Sequence, residues 1–501
     1  MSNPKLTETQ RRQLEEDKKT RSMTTLFVGM CAAVVVIAVA LFVSNSGLLT
    51  KNATAVTING TEYSVADVNY YYTNVRQYES YLASMGASQY DPYTAPEKQQ
   101  YDADTTWRDH LLRLAVENLT QEAALYAKAV EAGHTLSEEA KADLDASLLS
   151  LETGWISAGY SDRDSYITAT FGSSMTYDKL VSILERSSMA LDYGTAYGST
   201  LEYDRAALDA YYNDHKNDLD TFEVSQFLFQ ARVETTDAEG NPIARTDEEQ
   251  AAALEEAKAQ AKAQAEEMKA RLEAGEDAQA LVEEYGDAIS YSSIGDRRMG
   301  RNVSAQYIEW VFSDERKDGD LTLIEYAGGT TSYNYCVVRL DDRYLDNQNT
   351  ADIRHILVSA GSTPTEEEYA EAQAKAEEML ELWKSGGAGE DAFSALATEN
   401  SADSSSAANG GLLNVSNYHG YGQAFVDWAL EPGRQSGDTG LVKNDFSSTK
   451  GYHIMYYVGE DAPYWEQYAT DSLRNADLSV WMDELVSACT VEQGSGMKYV
   501  G

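Results

Sequence analysis

The sequence predicts an α+β protein with an N-terminal transmembrane helix, an all-α domain, two copies of a sheet-and-helix module and a C-terminal helix. Three observations lead to this prediction. A chain of 501 residues is too long for one hydrophobic core. Residues 24–43 form an uncharged apolar run, and the pattern of residues 222–346 recurs at 351–462. We therefore expect three or four domains.

The overall charge excludes one class of partner. The chain has 39 basic and 82 acidic residues, a formal net charge of −43. Binding to nucleic acid needs a basic surface, so no nucleic-acid partner is expected. Three cysteines are too few for a disulfide framework. Cys31 lies in the apolar run, so only Cys336 and Cys489 could pair, and the sequence leaves that open.

The apolar run predicts a single-pass membrane anchor at residues 23–45, with 24–43 in contact with the membrane. Twenty uncharged residues are long enough to cross a bilayer as a helix. The tail before it is basic, so we expect residues 1–22 in the cytoplasm and the bulk of the chain outside the cell membrane. A cleaved signal peptide is the alternative. The basic residues of the tail are Lys5, Arg11, Arg12, Lys18, Lys19 and Arg21.

Residues 46–220 predict an all-α domain preceded by a small hairpin. Asn59-Gly60 is a typical hairpin turn. Ser64 and Asp67 predict a capping box at the start of a helix. That helix carries a partly aromatic stripe at helical spacing, interpreted as a core face: Val68, Tyr71, Tyr72, Val75, Tyr78 and Leu82. His110, His134 and His215 stand alone, so no catalytic or metal site is expected in this domain.

Residues 221–346 and 347–462 predict a duplicated module. The strand-like run 224–229 matches 353–358, the aromatic segment 307–310 matches 425–428, and 333–336 matches 452–455. Each copy also has a long helix that begins with a capping box, Thr246 with Glu249 and Thr365 with Glu368. In this alignment His355 is replaced by Gln226 in the first copy, and His453 by Asn334. The first copy is therefore expected to be degenerate.

The second copy resembles the parvulin-type peptidyl-prolyl isomerases. The motifs that carry the resemblance occur in the family's order: Ile353 to Val358, Leu396-Ala397, Ser401, Asp403-Ser404, Gly410-Gly411-Leu412, Gly422-Gln423-Ala424-Phe425 and Gly451 to Ile454. The rest of the chain is similar to extracytoplasmic foldases of the SurA and PrsA kind. That similarity implies a chaperone domain at 46–220 and a C-terminal helix, within 463–501, that packs on it.

The resemblance implies a four-stranded antiparallel sheet with a catalytic cluster of His355, Asp403 and His453. Leu412 and Phe425 would line a proline pocket, with Gln423 and Trp428 as further substrate-binding residues. No cofactor or metal is implied. The sequence departs from the family at Ala424, where a Met or Leu is usual. It departs again at the pocket threonine, which Asn444 or Thr449 could replace. The alternative role for Asp403 is to cap a turn in a Ser-rich loop.

Two functional hypotheses follow from the sequence. In the first, the chain is a membrane-anchored extracytoplasmic foldase that isomerises X-Pro bonds of unfolded or newly exported polypeptides, with the second module alone catalytic. In the second, it is a non-enzymatic holdase whose modules only bind clients. A hydrolase based on Ser495-x-x-Lys498 is rejected, because these residues lie in a Gly-rich tail beyond the last helix.

Overall fold

A computed structural model describes residues 53–236, 240–329, 332–418 and 420–501. The chain divides into two compact units. The first contains the described residues up to Glu202 together with Arg474–Gly501, and the second is Tyr203–Leu473. Residues 203–220, predicted as the end of the helical domain, thus belong to the second unit.

The first unit is mainly helical and carries one small sheet. The hairpin β1–β2 has Asn59 and Gly60 at positive φ in its turn, which confirms the predicted hairpin. Strand β11, near the C-terminus, pairs antiparallel with β1, giving the order β11-β1-β2. The elements are β1 (Thr54–Ile58), β2 (Thr61–Ser64), α1 (Val65–Ser84), α2 (Trp107–Ala132), α3 (Glu138–Ser157), α4 (Arg163–Phe171), α5 (Tyr177–Gly198) and β11 (Val491–Gln493).

The predicted aromatic stripe of α1 is only partly a core face. Val68, Tyr71, Tyr72 and Val75 are buried, whereas Tyr78 is 60 % exposed. The helix begins with the predicted capping box, in which Ser64 and Asp67 satisfy each other's backbone N–H groups. The long C-terminal helix α15 (Tyr464–Ser487) ends in this unit, where Trp481 stacks on Tyr197 with ring centroids 3.9 Å apart.

The second unit contains two four-stranded antiparallel sheets with equivalent strand orders, β4-β3-β6-β5 and β8-β7-β10-β9. Each has a long helix on one face. The first group contains α6 (Arg205–Asp214), α7 (Lys216–Leu219), β3 (Thr221–Arg232), α8 (Asp247–Glu273), α9 (Ala278–Tyr285), β4 (Tyr291–Met299), α10 (Ile308–Val311), β5 (Leu321–Ala327) and β6 (Ser332–Tyr344). The second contains β7 (Asn349–Gly361), α11 (Glu366–Ser385), α12 (Glu390–Asn400), α13 (Ser404–Ala407), β8 (Leu412–Val415), α14 (Gln423–Ala429), β9 (Thr439–Asn444) and β10 (Lys450–Pro463).

Backbone hydrogen bonds align the two sheets residue by residue. Leu340 exchanges bonds with Gly319 and Asp320, and Tyr457 exchanges the same bonds with Gly437 and Asp438. Leu340 and Tyr457 are therefore equivalent. Counting back four residues on each strand makes Cys336 the equivalent of His453.

This register corrects one predicted correspondence. His453 lies opposite Leu357, and Cys336 lies opposite Leu228. His355 lies opposite Met455, just as Gln226 lies opposite Val338. The match of Gln226 to His355 therefore agrees with the ladder, whereas the match of Asn334 to His453 is wrong by two residues. Sequence similarity missed the shift because Tyr333-Asn334-Tyr335 and Tyr452-His453 both alternate aromatic and polar side chains.

The predicted fold class also needs correction at the N-terminus, where it included a transmembrane helix. No helix in the described ranges is long and apolar enough to cross a bilayer, and residues 23–45 lie outside those ranges. The longest described helix, α8, carries acidic and basic side chains along its length. Such side chains are costly to bury in hydrocarbon. The predicted single-pass membrane localisation, with a cytoplasmic N-terminus and membrane contact through residues 24–43, is therefore not supported.

Candidate active site

A buried chain of hydrogen-bonding groups crosses the face of the second sheet that lies opposite helix α11. Nδ1 of His355 lies 3.0 Å from Nδ1 of His453. Nε2 of His355 lies 3.0 Å from Oδ2 of Asp403 and 2.9 Å from Oγ of Ser406. The two histidines are 1 % and 6 % exposed. The structure thus brings together the three side chains that the sequence singled out as catalytic.

Strand pairing explains why the two imidazoles meet. His355 on β7 and His453 on β10 are diagonal neighbours on adjacent antiparallel strands, since His355 lies opposite Met455 and His453 opposite Leu357. Side chains alternate between the faces of a sheet. Ile356 and Ile454 therefore point to the other face, where they pack with the helices α11 and α12.

Asp403 reaches the imidazoles from a tight turn between α12 and β8. Ser401 fixes the start of this turn, because its Oγ accepts the backbone N–H groups of Leu357 and Asp403. Asp403 caps the short helix α13, since its Oδ1 accepts the backbone N–H of Ser405. Its Oδ2 accepts the hydroxyl of Ser406 at 2.8 Å and faces His355. Asp403 therefore both caps the turn and contacts the imidazole of His355.

Gly411 allows the chain to pass close behind His355. Its φ is +71°, and a Cβ there would lie 2.2 Å from the carbonyl oxygen of His355. The backbone N–H of His355 donates to the carbonyl of Gly411 at 2.9 Å. Only glycine combines this conformation with this approach, so the glycine pair of the sequence motif sets the distance between the turn and strand β7.

Electrostatics divide the site into a charged end and a neutral end. The hydrogen bond from His355, with those from Ser405 and Ser406, holds the pKa of Asp403 well below its usual range. Burial and the neighbouring His355 lower the pKa of His453 from its usual 6.5 to about 3. Asp403 is therefore a carboxylate and His453 a neutral imidazole near pH 7. The carboxylate can only accept, so His355 donates from Nε2 to Asp403, and the two Nδ1 atoms share a single hydrogen bond.

Phe425 forms the apolar wall of the site. Its ring is 1 % exposed and meets both imidazoles edge to face, with centroids 5.6 Å from His355 and 4.9 Å from His453. Tyr421 packs on Phe425 with ring centroids 5.0 Å apart. Leu413 packs with the same cluster, whereas the predicted Leu412 pairs with Arg354 on the opposite face. Leu413 pairs with Ile353, so strand alternation places it on the face of His355, but this pairing is visible only in the structure.

The other two predicted substrate-binding residues lie on helix α14, away from the imidazoles. Gln423 is exposed, and its amide donates to Asp427 at 2.6 Å. Trp428 is packed between the Arg434 guanidinium, 3.8 Å from its ring, and the backbone of Gly440. Trp428 thus holds the helix against strand β9. The structure places neither residue in contact with the histidine pair.

Asn444 is the better placed of the two candidates for the missing pocket threonine. It is 4 % exposed and lies opposite Gly451, two residues from His453. Its amide donates to Ser447 and to the carbonyl of Thr449, both at 2.8 Å. These two hydrogen bonds from Asn444 fix the conformation of the extended loop before β10. Thr449 takes part through its backbone carbonyl.

The first sheet has the same strand order as the second, but it lacks both histidines and the carboxylate of the site. Gln226 stands in place of His355, and Cys336 in place of His453. The N–H of Ser290 donates to Leu228, as that of Ala402 donates to Leu357. Strand β4 begins at the next residue, Tyr291. The first sheet thus lacks the turn that carries Asp403 and Ser406.

Cys336 is a buried free thiol, and burial raises its pKa to about 11. Cys489 is also free.

Comparisons with known proteins match the part of the chain that contains this site. The family model described as the PPIC-type PPIASE domain matches residues 335–458. No curated protein matches the chain. Among solved structures the chain is similar to a crystal structure of the peptidylprolyl isomerase PrsA from Bacillus anthracis, with 20 % sequence identity and a TM-score of 0.17. The match covers 28 % of this chain and 58 % of that chain. Residues 335–458 of this chain thus contain a PPIC-type PPIase domain, the parvulin type, and the histidine pair lies within it.

Proposed function

We propose that the second module catalyses cis–trans isomerisation of X-Pro bonds in unfolded polypeptides, with the cluster of His355, Asp403 and His453 as its site. The observation that carries the proposal is the buried imidazole pair, hydrogen-bonded to a carboxylate at one end and walled by Phe425. The PPIC-type domain match supports the reaction class. The assignment of individual residues rests on the geometry.

The reaction needs no nucleophile. Rotation about the bond faces a barrier of roughly 18–20 kcal/mol, because resonance holds the amide planar. Uncatalysed X-Pro isomerisation takes tens to hundreds of seconds. A catalyst must bind the twisted amide more tightly than either planar form. The site therefore needs an apolar pocket for the proline ring and an electric field that destabilises the planar amide relative to the twisted one.

In this proposal, the negative charge of Asp403 supplies the electric field. A planar amide places partial negative charge on its carbonyl oxygen, and twisting returns that charge to the nitrogen. The side chain of Asp403 is 22 % exposed, whereas that of His355 is 2 % exposed. Asp403 is thus the part of the cluster that a bound substrate can approach. A fixed negative charge near the carbonyl oxygen destabilises the planar form relative to the twisted one.

The histidines act as positioning residues for that charge. His355 donates to Asp403, and His453 orients His355 through the hydrogen bond between their Nδ1 atoms. Because both imidazoles are almost fully buried, the cluster excludes water and keeps the carboxylate in one place. Phe425, with Tyr421 and Leu413 beside it, provides the apolar surface for the proline ring.

A binding role is the second candidate function, and the first module favours it. Its sheet has the same strand order, yet Gln226 and Cys336 replace the two histidines, and the turn carrying Asp403 has no counterpart. A sheet of the same strand order that lacks the histidines and the carboxylate fits a module that binds clients or acts as a spacer. The two functions are compatible within one chain, with catalysis in the second module only.

The test is an isomerisation assay on a short X-Pro peptide with the full chain. We expect His355→Ala and His453→Ala to lower kcat/KM strongly while circular dichroism is unchanged. His134→Ala, in the first unit, is the matched control and should retain full activity. A folded wild-type chain without activity on any X-Pro peptide would replace the proposal with the binding role.

A further inference from the structure

A cleft of about 1080 Å³ lies between the two modules of the second unit. One wall is strand β4 of the first module, from Tyr291 to Met299. The other wall consists of the loop before α14, the first turns of α14 and Phe446. The cleft therefore joins the module without histidines to the module that carries the candidate active site.

Strand β4 presents an edge to this cleft. In the order β4-β3-β6-β5 it is the terminal strand, bonded to β3 on one side only within the described residues. Consecutive residues from Ser293 to Met299 line the cleft, and Gly295 among them does so through its backbone. Edge strands accept an added strand through their free N–H and C=O groups.

Three large apolar side chains are exposed along the cleft. Tyr291 is 48 % exposed, Ile294 42 % and Phe446 65 %. Tyr291 and Ile294 come from the edge strand, and Phe446 comes from the loop after β9. Exposed apolar groups on both walls of one cleft are typical of a site that binds an apolar partner.

The charged groups of the cleft are already paired. Arg298 bonds Asp296 at 2.7 Å, and Arg297 bonds Glu223 at 3.2 Å. Each positive charge has a carboxylate beside it, so the cleft does not fit an anionic ligand. With these charges paired, the cleft offers a ligand the backbone edge of β4 and the three exposed apolar side chains.

Helix α14 connects the cleft to the candidate active site, because its residue Val426 lines the cleft while the adjacent Phe425 contacts both imidazoles. Phe446 packs against Gly422, and a Cβ on that glycine would lie 3.1 Å from the Cβ of Phe446. Gly422 directly precedes α14, whose Phe425 contacts both imidazoles. A polypeptide that leaves the site along Gly422 would contact Phe446. The residue before a proline favours extended backbone, the conformation that strand addition needs.

We propose that this cleft binds the extended apolar segment of a client that flanks the isomerised proline, adding it as a fifth strand along the edge of β4. This inference rests on the proposed function and specifies its substrate as a proline flanked by an apolar, strand-forming stretch. The first module would then contribute substrate affinity while the second performs the isomerisation.

The experiment compares a short X-Pro peptide with the same peptide extended by six alternating Val, Thr and Tyr residues, on either side of the proline. Binding to the full chain is measured by fluorescence anisotropy, and isomerisation by the coupled assay. We expect the better extension to bind about tenfold more tightly than the short peptide, from burial of two or three apolar side chains. N-methylation of alternate amides in the extension should remove that gain, because strand addition uses backbone hydrogen bonds.

Ile294→Asp places a charge on the edge strand outside the histidine cluster. It should abolish the gain while leaving kcat/KM for the short peptide unchanged. Leu382→Asp is the matched control, because Leu382 is 61 % exposed on α11 and does not line the cleft. The proposal is overturned if extension adds no affinity, or if the gain survives Ile294→Asp or N-methylation. If the extended peptide binds as expected but no peptide is isomerised, the proposed function fails and the cleft stands as a binding site.

Discussion

Nδ1 of His355 and Nδ1 of His453 face each other at 3.0 Å inside the second sheet. One of these nitrogens must carry a proton and the other must not, so the pair has a direction. Asp403 holds His355 from the other side, because the carboxylate accepts from its Nε2.

Removing the charge of Asp403 should impair catalysis more than folding. Asp403→Asn keeps the size of the side chain and one acceptor oxygen, but it removes the negative charge. We expect kcat/KM for a short X-Pro peptide to fall by about a hundredfold, typical of the loss of one preorganised electrostatic group. The thermal midpoint, measured in parallel, should change little. Asp391→Asn, on the exposed surface of α12, should leave both quantities unchanged, and equal activity in the two variants would contradict the assignment.

Stability of the second module should fall as the pH drops below about 6.5. The native state takes up the His453 proton only near pH 3, whereas the unfolded chain takes it up near its usual pKa of 6.5. Between these values the unfolded state binds more protons, so the free energy of unfolding decreases with falling pH. Hydrogen exchange of β10 peptides, followed from pH 7 to pH 4, measures this loss.

His453→Leu should flatten this pH dependence even if it lowers stability overall. His134→Gln, in the first unit, should retain the slope of the wild type. A slope that persists in His453→Leu would show that another group causes it.

Gly411→Ala should be far more damaging than an equivalent change at an open glycine. Gly433 also has a positive φ, +87°, but a Cβ there meets nothing within 4 Å. Gly433→Ala should therefore cost only the conformational term, about 1–2 kcal/mol. Gly411→Ala adds an overlap with the carbonyl of His355, which we expect to cost about 1–3 kcal/mol more. Denaturant unfolding measures the difference, and equal losses would mean that the close approach is absent.

Restoring both histidines to the first module should not restore catalysis. In a His355→Ala background, Gln226→His with Cys336→His recreates the diagonal pair at equivalent ladder positions. No turn equivalent to that of Asp403 and Ser406 approaches them, because β4 begins at Tyr291. We expect isomerase activity to stay at the background level. Recovery of activity would show that the imidazole pair alone is sufficient.

The sequence by itself determined the local elements and most of the cluster. The capping boxes of α1, α8 and α11 and the Asn59-Gly60 turn depend on residues within a few positions of each other, so pattern and propensity were sufficient. His355, Asp403 and His453 were selected through a family resemblance, and the structure places them in contact. The C-terminal strand β11 and Ser406 had no comparable signal in the sequence.

The tertiary structure decided whatever depends on register and on pairing between distant segments. Cys336 rather than Asn334 stands in place of His453, and Leu413 rather than Leu412 joins the Phe425 cluster. A strand has a side-chain period of two, so a shift of one residue moves every side chain to the other face, and a shift of two changes its partner. Local sequence does not encode that choice. The cross-strand hydrogen bonds fix it, and they thereby bring the two imidazoles together.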